Sequence, residues 1–196
     1  MAIVTLDGRA YYQISKLLRK FGIPYQEFSP EDPLPSSVKV VITTKKEKDK
    51  IPLKEVLCLE DFFGKELKLM QKLLAYEVGK RGKLIIGIDP GLRIGFTSYY
   101  NYREIYSSIL NSLDELILRL EQIFEAFKGS KLVRIGDGNP KLAREIAKTL
   151  AKRFKVNIEI VNEKGTTLLA KNKGKAFLDK YSAKLIAFRE GKRFNL

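Results

Sequence analysis

An acidic residue at the end of an apolar segment constrains the fold of this chain more than any other feature. Leucine and isoleucine dominate residues 84–88, Asp89 follows them, and Pro90-Gly91 then leads into a second apolar run at 94–100. This pattern predicts strand, turn, strand. A carboxylate at the exit of a buried strand is costly to desolvate unless a cation neutralises it, and a divalent metal ion can do so. Asp89 is therefore a candidate metal ligand, and the alternative is that it only caps the turn.

The residue types exclude several classes of site. The chain has 196 residues, enough for one domain or two modest ones, with an ordinary apolar fraction of 44%. It contains one cysteine and no histidine. An internal disulfide framework, a structural zinc site and a histidine-based catalytic triad are therefore excluded. Acid–base chemistry must use carboxylates, lysines, tyrosines or metal-bound water.

The charge favours a polyanionic partner. The net charge is +14 and the isoelectric point is about 9.7, which makes nucleic acid the first expectation, with a solvated lysine-rich surface as the alternative. Residues 83–196 carry a surplus of ten basic side chains, whereas residues 1–82 carry a surplus of four. The anion-binding surface is thus expected on the second part. No apolar run has the length of a membrane span and no secretory leader is recognisable, so we expect a cytoplasmic protein without membrane partners.

Residues 1–82 are predicted to form a small α/β domain. Short apolar strands at 2–6, 38–43 and 56–59 alternate with amphipathic helices at 11–20 and 61–79. Asp7-Gly8 is typical of a hairpin-like turn, and Cys58 is expected to be a buried strand thiol. A basic segment between Gly79 and Gly82 predicts the domain boundary. This domain shows no catalytic constellation.

Residues 83–196 predict five strands and three helices. The order is three consecutive strands, helix, strand, helix, strand, helix, which by pattern alone indicates a mixed α/β layer fold. Ser112, followed by glutamate three residues later, predicts the start of the first helix, and Pro140 that of the second. The strands are expected at 84–89, 94–100, 103–108, 131–136 and 157–161, and the helices at 112–127, 140–154 and 177–189.

Three further acids follow or begin these elements. Asp137 lies between two glycines after the fourth strand, where the backbone can approach a metal or phosphate closely; alternatively, Asp137 and Asn139 cap the helix that Pro140 begins. Glu163 follows the fifth strand. Asp179 begins the last helix, where it could instead serve only as a partner of the helix dipole.

The motifs around these acids resemble two nuclease families. Residues 87–93, Gly-Ile-Asp-Pro-Gly-Leu-Arg, resemble the opening strand of the RuvC Holliday-junction resolvases, whereas Arg93-Ile94-Gly95 is similar to the YqgF family. Residues 162–167, Asn-Glu-Lys-Gly-Thr-Thr, are similar to a second YqgF motif, with Asn162 in place of an aspartate and Lys164 in place of an arginine. The helix from Asp179 is similar to the closing helix of both families, but Ser182 replaces the second acid of RuvC.

The resemblance implies a divergent member of the RNase H-like nucleases. Its fold would be α/β, a mixed five-stranded sheet with flanking helices in residues 83–196, preceded by the small α/β domain. Asp89, Asp137, Glu163 and Asp179 would form the catalytic, metal-binding set for two Mg²⁺ or Mn²⁺ ions roughly 4 Å apart, one activating water and one stabilising the leaving oxygen. RuvC draws its second acid from the fourth strand and YqgF from the motif after the fifth, so both Asp137 and Glu163 remain candidates.

The function implied is metal-dependent endonuclease activity on branched DNA or structured RNA, by a homodimer if the substrate is two-fold symmetric. The alternative is a basic nucleic-acid-binding protein that has lost cleavage, because Asn162 and Ser182 each remove an acid. Basic and hydroxyl side chains around the last two motifs, with Arg93, would hold phosphates without reading bases. These residues are Arg93, Lys164, Thr166, Thr167, Lys171, Lys173, Lys175 and Lys180.

Overall fold

Two compact units make up the protein, Met1–Gly79 and Lys80–Leu196. The computed structural model describes residues 1–78, 82–163 and 175–195, except for the side chains of residues 77–78 and 175–179. Gly82 was predicted to be the last residue of the first domain. It instead begins the first strand of the second unit, where it pairs with Gly129. Within the described residues, no helix combines the length and the apolar character needed to cross a lipid bilayer.

The first unit is a parallel α/β layer. Its strands pair in the order β2-β1-β3-β4, all parallel, and two short 3₁₀ turns, Lys48–Lys50 and Leu59–Phe62, flank β4. The elements are β1 (Ala2–Val4), α1 (Gly8–Lys20), β2 (Gln26–Phe28), β3 (Val41–Thr43), β4 (Val56–Cys58) and α2 (Glu66–Val78).

A helix cap replaces the hairpin-like turn expected at Asp7. The Asp7 carboxylate accepts hydrogen bonds from the backbone N–H groups of Arg9 and Ala10, which would otherwise lack partners at the helix start. The prediction of a hairpin-like turn was wrong because the same Asp-Gly pair also suits a helix N-terminus. Cys58 is a buried, free thiol in β4, as predicted.

The second unit is a mixed sheet flanked by helices. Its strands pair in the order β10-β9-β8-β5-β6-β7; β5, β6 and β7 are an antiparallel meander, whereas β8 and β9 run parallel to β5. The elements are β5 (Gly82–Asp89), β6 (Ile94–Tyr100), β7 (Arg103–Leu110), α3 (Leu113–Ala126), β8 (Gly129–Gly136), α4 (Pro140–Arg153), β9 (Asn157–Val161), α5 (Lys175–Phe188) and β10 (Lys192–Arg193). The sequence-based expectation of a mixed α/β fold is confirmed.

The sheet has six strands rather than the five expected. The additional strand, β10, has two residues and pairs antiparallel with β9. It was missed because two exposed basic residues carry no apolar alternation. The predicted helix starts are correct at Ser112, which caps α3 through the Glu115 N–H, and at Pro140.

The two faces of this sheet are covered by different helices. Ile85 and Tyr99 pack with Ala187, so α5 covers the face to which Ile85 belongs. Tyr100, paired with Leu84, points to the opposite face and packs on Phe127 at the end of α3, with ring centroids 4.9 Å apart. Since side chains alternate along a strand, Gly87 and Asp89 belong to the face that α5 covers.

Candidate active site

Helix α5 lies directly on β5 where the strand has no side chain. A Cβ at Gly87 would overlap the carbonyl oxygen of Ala183 and come within 2.8 Å of the Ala187 Cβ. Ala183, Ile186 and Ala187 are fully buried. Small residues on both elements therefore allow the helix backbone to approach the sheet two residues before Asp89.

An ion pair holds the C-terminal turn of α5 in place. Nε of Arg134, on β8, donates to Glu159 of β9 at 2.7 Å, and Nη1 donates to the carbonyl oxygen of Ala187 at 3.0 Å. The Arg134 side chain is only 11% exposed. A buried guanidinium with charged and carbonyl partners fixes a helix end well, because the last carbonyls of a helix lack internal donors.

The end of β5 places Asp89 beside Gly136. The parallel register runs to Ile88 and Ile135, so the next residues, Asp89 and Gly136, lie side by side. Asp89 is half-buried and is the last residue of its strand. In-register residues of a parallel pair face the same side, so both belong to the α5 face.

Glu163 fills the space that Gly136 leaves open. A Cβ built on Gly136 would overlap Oε1 of Glu163 and lie 2.7 Å from the Ile186 side chain. Asp89 follows in register beside Gly136, so Asp89 and this carboxylate belong to the same face of the sheet. Glu163 thus lies over β8, the strand next to the one that Asp89 ends, on the face that α5 covers.

Asp137 binds the backbone of Glu163. The Glu163 N–H donates to Oδ1 of Asp137 at 2.9 Å, and the Gly138 N–H donates to Oε1 of Glu163 at 3.0 Å. The Asp137 N–H donates in turn to Val161 of β9. The Asp137 carboxylate therefore fixes the main chain of Glu163. Asp137 also lines a groove beside the start of α4.

The environment of Glu163 disfavours its ionised form. Burial is the main cause that raises its pKa above the usual value, and the neighbouring Asp137 carboxylate adds to this, against the hydrogen bond from Gly138. A buried carboxylate next to a second one attracts a proton or a cation. The expected helix cap is confirmed at Asn139, which caps α4 through the Leu142 N–H, whereas Asp137 accepts the Glu163 N–H instead.

The donor chemistry suits a divalent cation, although the described ligand set is incomplete. Asp89, Glu163 and Asp137 offer only hard oxygen donors, which Mg²⁺ and Mn²⁺ prefer. In the parts of the chain that the structure describes, no group of three or more potential ligands could hold a metal ion. Asp179 lies in α5, one helical turn before Ala183, and its side chain is outside the described residues.

Most of the predicted phosphate-binding residues also fall outside the described part. These are Lys164, Thr166, Thr167, Lys171 and Lys173, together with the side chain of Lys175. Arg93, in the turn after β5, and Lys180, on α5, are exposed. Sequence reasoning missed Arg144, Lys192 and Arg193, which line the groove beside Asp137. The adjacent basic residues after the last helix, Lys192-Arg193, were the feature of the sequence that could have indicated this groove.

Comparison with known proteins gives two results. Residues 1–59 match the profile of a response regulator receiver-like domain. Among solved structures, a match is the crystal structure of Aa-Ago with externally bound siRNA, at 12% identity and a TM-score of 0.28. It covers 82% of this chain and 34% of that one, so the chain spans about a third of the length of that protein. A similarity this low supports no conclusion about the fold or function of this chain. No curated protein matches.

Proposed function

We propose that the second unit is a metal-dependent endonuclease of RNase H-like, RuvC- or YqgF-type architecture. Its substrate would be branched DNA or structured RNA. The observation that carries the proposal is the position of Glu163, whose carboxylate fills the space over Gly136 and faces the same side of the sheet as Asp89. Two acids separated by 74 positions in the sequence thus belong to the same face of the sheet.

The sheet order supports this architecture. An antiparallel meander of three strands, with two parallel strands added next to the first, is the arrangement that the motif resemblance implies. Carboxylates that follow β5, β8 and β9 then lie at the same edge of the sheet, with β8 between β5 and β9. The positive charge of this unit favours a phosphodiester substrate.

The residues take distinct roles in the proposal. Asp89 and Glu163 would hold the ions, and Asp179 would complete the set. Bound Mg²⁺ or Mn²⁺ would supply an activated water and charge stabilisation for the leaving oxygen. Asp137 acts through Glu163: its carboxylate fixes the Glu163 main chain and keeps a second negative charge close by. Of the two acids that the sequence left open, Glu163 is thus the ligand and Asp137 the positioning residue.

Cleavage assays test the proposal directly. The purified protein is mixed with labelled four-way junctions, flaps and structured RNA, with and without Mn²⁺. We expect metal-dependent cutting of at least one substrate and a loss of about 10²-fold or more in Glu163→Gln and Asp89→Asn. Unchanged cutting in both variants would contradict the proposal.

A non-catalytic binding protein is the second candidate. Its support is that Asn162 and Ser182 stand where the related motifs carry acids. It predicts substrate binding without cutting, equal in the wild type and in Asp89→Asn.

A further inference from the structure

A basic groove runs along the edge of the second unit. It has a volume of about 740 Å³ and lies between the start of α4 and β10. Its walls carry Arg144 from α4 and the Lys192-Arg193 pair from β10, with Ile160 and Phe194 between them. A second hollow of about 550 Å³ shares Pro140 and Arg144 with it and adds Lys141 and Lys148.

The three cations of this groove are available to a ligand. In the described part of the chain, the side chains of Arg144, Lys192 and Arg193 make no hydrogen bond or ion pair. The groove also contains Asp137 and Glu190, so it is not a uniformly positive surface. Its cations come from two separate elements, α4 and β10, which suits a ligand whose negative charges are spaced along a chain.

Apolar surface accompanies the cations. Phe194 is half-buried, lines the groove and is held by its N–H bond to Ile158 of β9. Bases of a duplex are stacked within it, so an aromatic ring in a groove is accessible only to an unpaired base. Cations for the backbone together with a ring for a base are the elements of a single-strand binding site.

The groove also adjoins the acids of the proposed active site. Asp137 belongs to both: its Oδ1 accepts the Glu163 N–H, and its side chain lines the groove. We propose that this groove binds a single-stranded segment of nucleic acid next to the cleavage position, through Arg144, Lys192 and Arg193. The position of cleavage rests on the proposed function, whereas the binding of nucleic acid in the groove does not.

Oligonucleotide binding in metal-free buffer tests the groove. Fluorescence anisotropy is measured with labelled single-stranded DNA and RNA over a range of salt concentrations. The test variant is Arg144→Gln/Lys192→Gln/Arg193→Gln. The matched control is Lys128→Gln/Lys152→Gln/Lys155→Gln, which removes the same charge from exposed positions of the same unit that do not line the groove.

We expect the groove variant to bind at least tenfold more weakly than the control. Its slope of log affinity against log salt should fall by about 2, since each phosphate contact with a single strand contributes roughly 0.7. Equal affinities and slopes in the two variants would overturn the proposal, as would the absence of oligonucleotide binding by the wild type. Thermal unfolding of both variants verifies that they are folded.

The outcome separates this inference from the nuclease proposal. If Asp89→Asn and the wild type bind equally and neither cuts, but the groove variant loses binding, the groove is established and the nuclease proposal fails. If the wild type cuts and the groove variant binds and cuts as the control does, the nuclease proposal stands and the groove fails.

Discussion

Two glutamates, one in each unit, show how differently this chain treats a carboxylate at a strand end. Glu47 accepts hydrogen bonds from the Thr5 hydroxyl at 2.5 Å, the Thr44 hydroxyl at 2.7 Å and the Leu6 N–H at 2.7 Å. Glu163 has the Gly138 N–H as donor and the negative Asp137 beside it.

The pKa values shift in opposite directions. Burial tends to raise the pKa of Glu47, but the hydrogen bonds from Thr5, Thr44 and Leu6 together lower it below its usual value. Burial raises that of Glu163, and Asp137 raises it further. Glu47 is therefore a structural anion that joins β1 to the segment after β3. The surroundings of Glu163 disfavour its ionised form, which is typical of groups that bind a cation or transfer a proton.

The largest expected effect comes from a side chain added beneath Glu163. Gly136→Ala places a Cβ where Oε1 of Glu163 lies, so the carboxylate must move by about an ångström. We expect cleavage to fall by about 10²-fold. The matched control is Gly8→Ala in the first unit, where a Cβ has nothing within 4 Å and should leave cleavage unchanged. Equal activity of the two variants would refute this position for Glu163.

Substitutions of Asp137 show whether its carboxylate positions Glu163 or binds the metal ion directly. Asp137→Asn keeps the oxygen that accepts the Glu163 N–H, whereas Asp137→Ala removes it. We expect Asp137→Ala to lower cleavage by roughly 10- to 100-fold and Asp137→Asn to lower it much less. Metal titrations of cleavage rate provide the measurement. A loss in Asp137→Asn as large as that in Glu163→Gln would make Asp137 a direct ligand.

Stability should respond in opposite ways to neutralising the two glutamates. At pH 7 in metal-free buffer, Glu47→Gln should lower the free energy of unfolding by about 1 kcal/mol, whereas Glu163→Gln should leave it equal or raise it. Urea unfolding followed by circular dichroism measures both. A destabilised Glu163→Gln with an unaffected Glu47→Gln would reverse the comparison.

The pH dependence follows from the direction of each shift. The contribution of Glu47 is fully present above its unfolded pKa of 4.5 and is lost as the pH falls through its lower folded pKa. The penalty from Glu163 is present above its raised folded pKa and disappears below 4.5. Both variants should therefore approach the wild type in acid, Glu47→Gln from below and Glu163→Gln from above.

The smallest effects concern two tyrosines with the same pKa and different causes. A hydrogen bond to Glu55 is the main cause that raises the pKa of Tyr76 to about 12, whereas burial is the main cause that raises the pKa of Tyr99 to about 12. Absorbance titration should show a lower pKa for Tyr76 in Glu55→Gln and a much smaller change for Tyr99 in Glu104→Gln. Equal changes would mean that the two glutamates raise the pKa values of their tyrosines equally, and the distinction between the two causes would fail.

Local signals account for what the sequence could predict. Two apolar runs and the Pro90-Gly91 turn located the hairpin whose first strand ends at Asp89, and Pro140 located the start of α4, because each depends on neighbouring residues. The same local patterns predicted which strands are followed by acidic residues. The element types of both units follow largely from such patterns.

The relation between Asp137 and Glu163 could not be predicted in the same way. It depends on a hydrogen bond from the Glu163 main chain to the Asp137 side chain, 26 positions apart, and on the room for Glu163 that the missing side chain of Gly136 leaves. The groove was missed for a similar reason, since α4 and β10 line one groove only when β10 adds to the sheet edge.

The Tyr100 ring has a practical consequence for dissecting the protein. It is 1% exposed and lies over Gly82, where any Cβ would overlap it, and its hydroxyl donates to the Lys128 carbonyl. A shortened chain that begins after Gly82 would leave this ring open to water and would be prone to aggregate. Separate expression of the second unit should therefore retain Gly82 and several residues ahead of it.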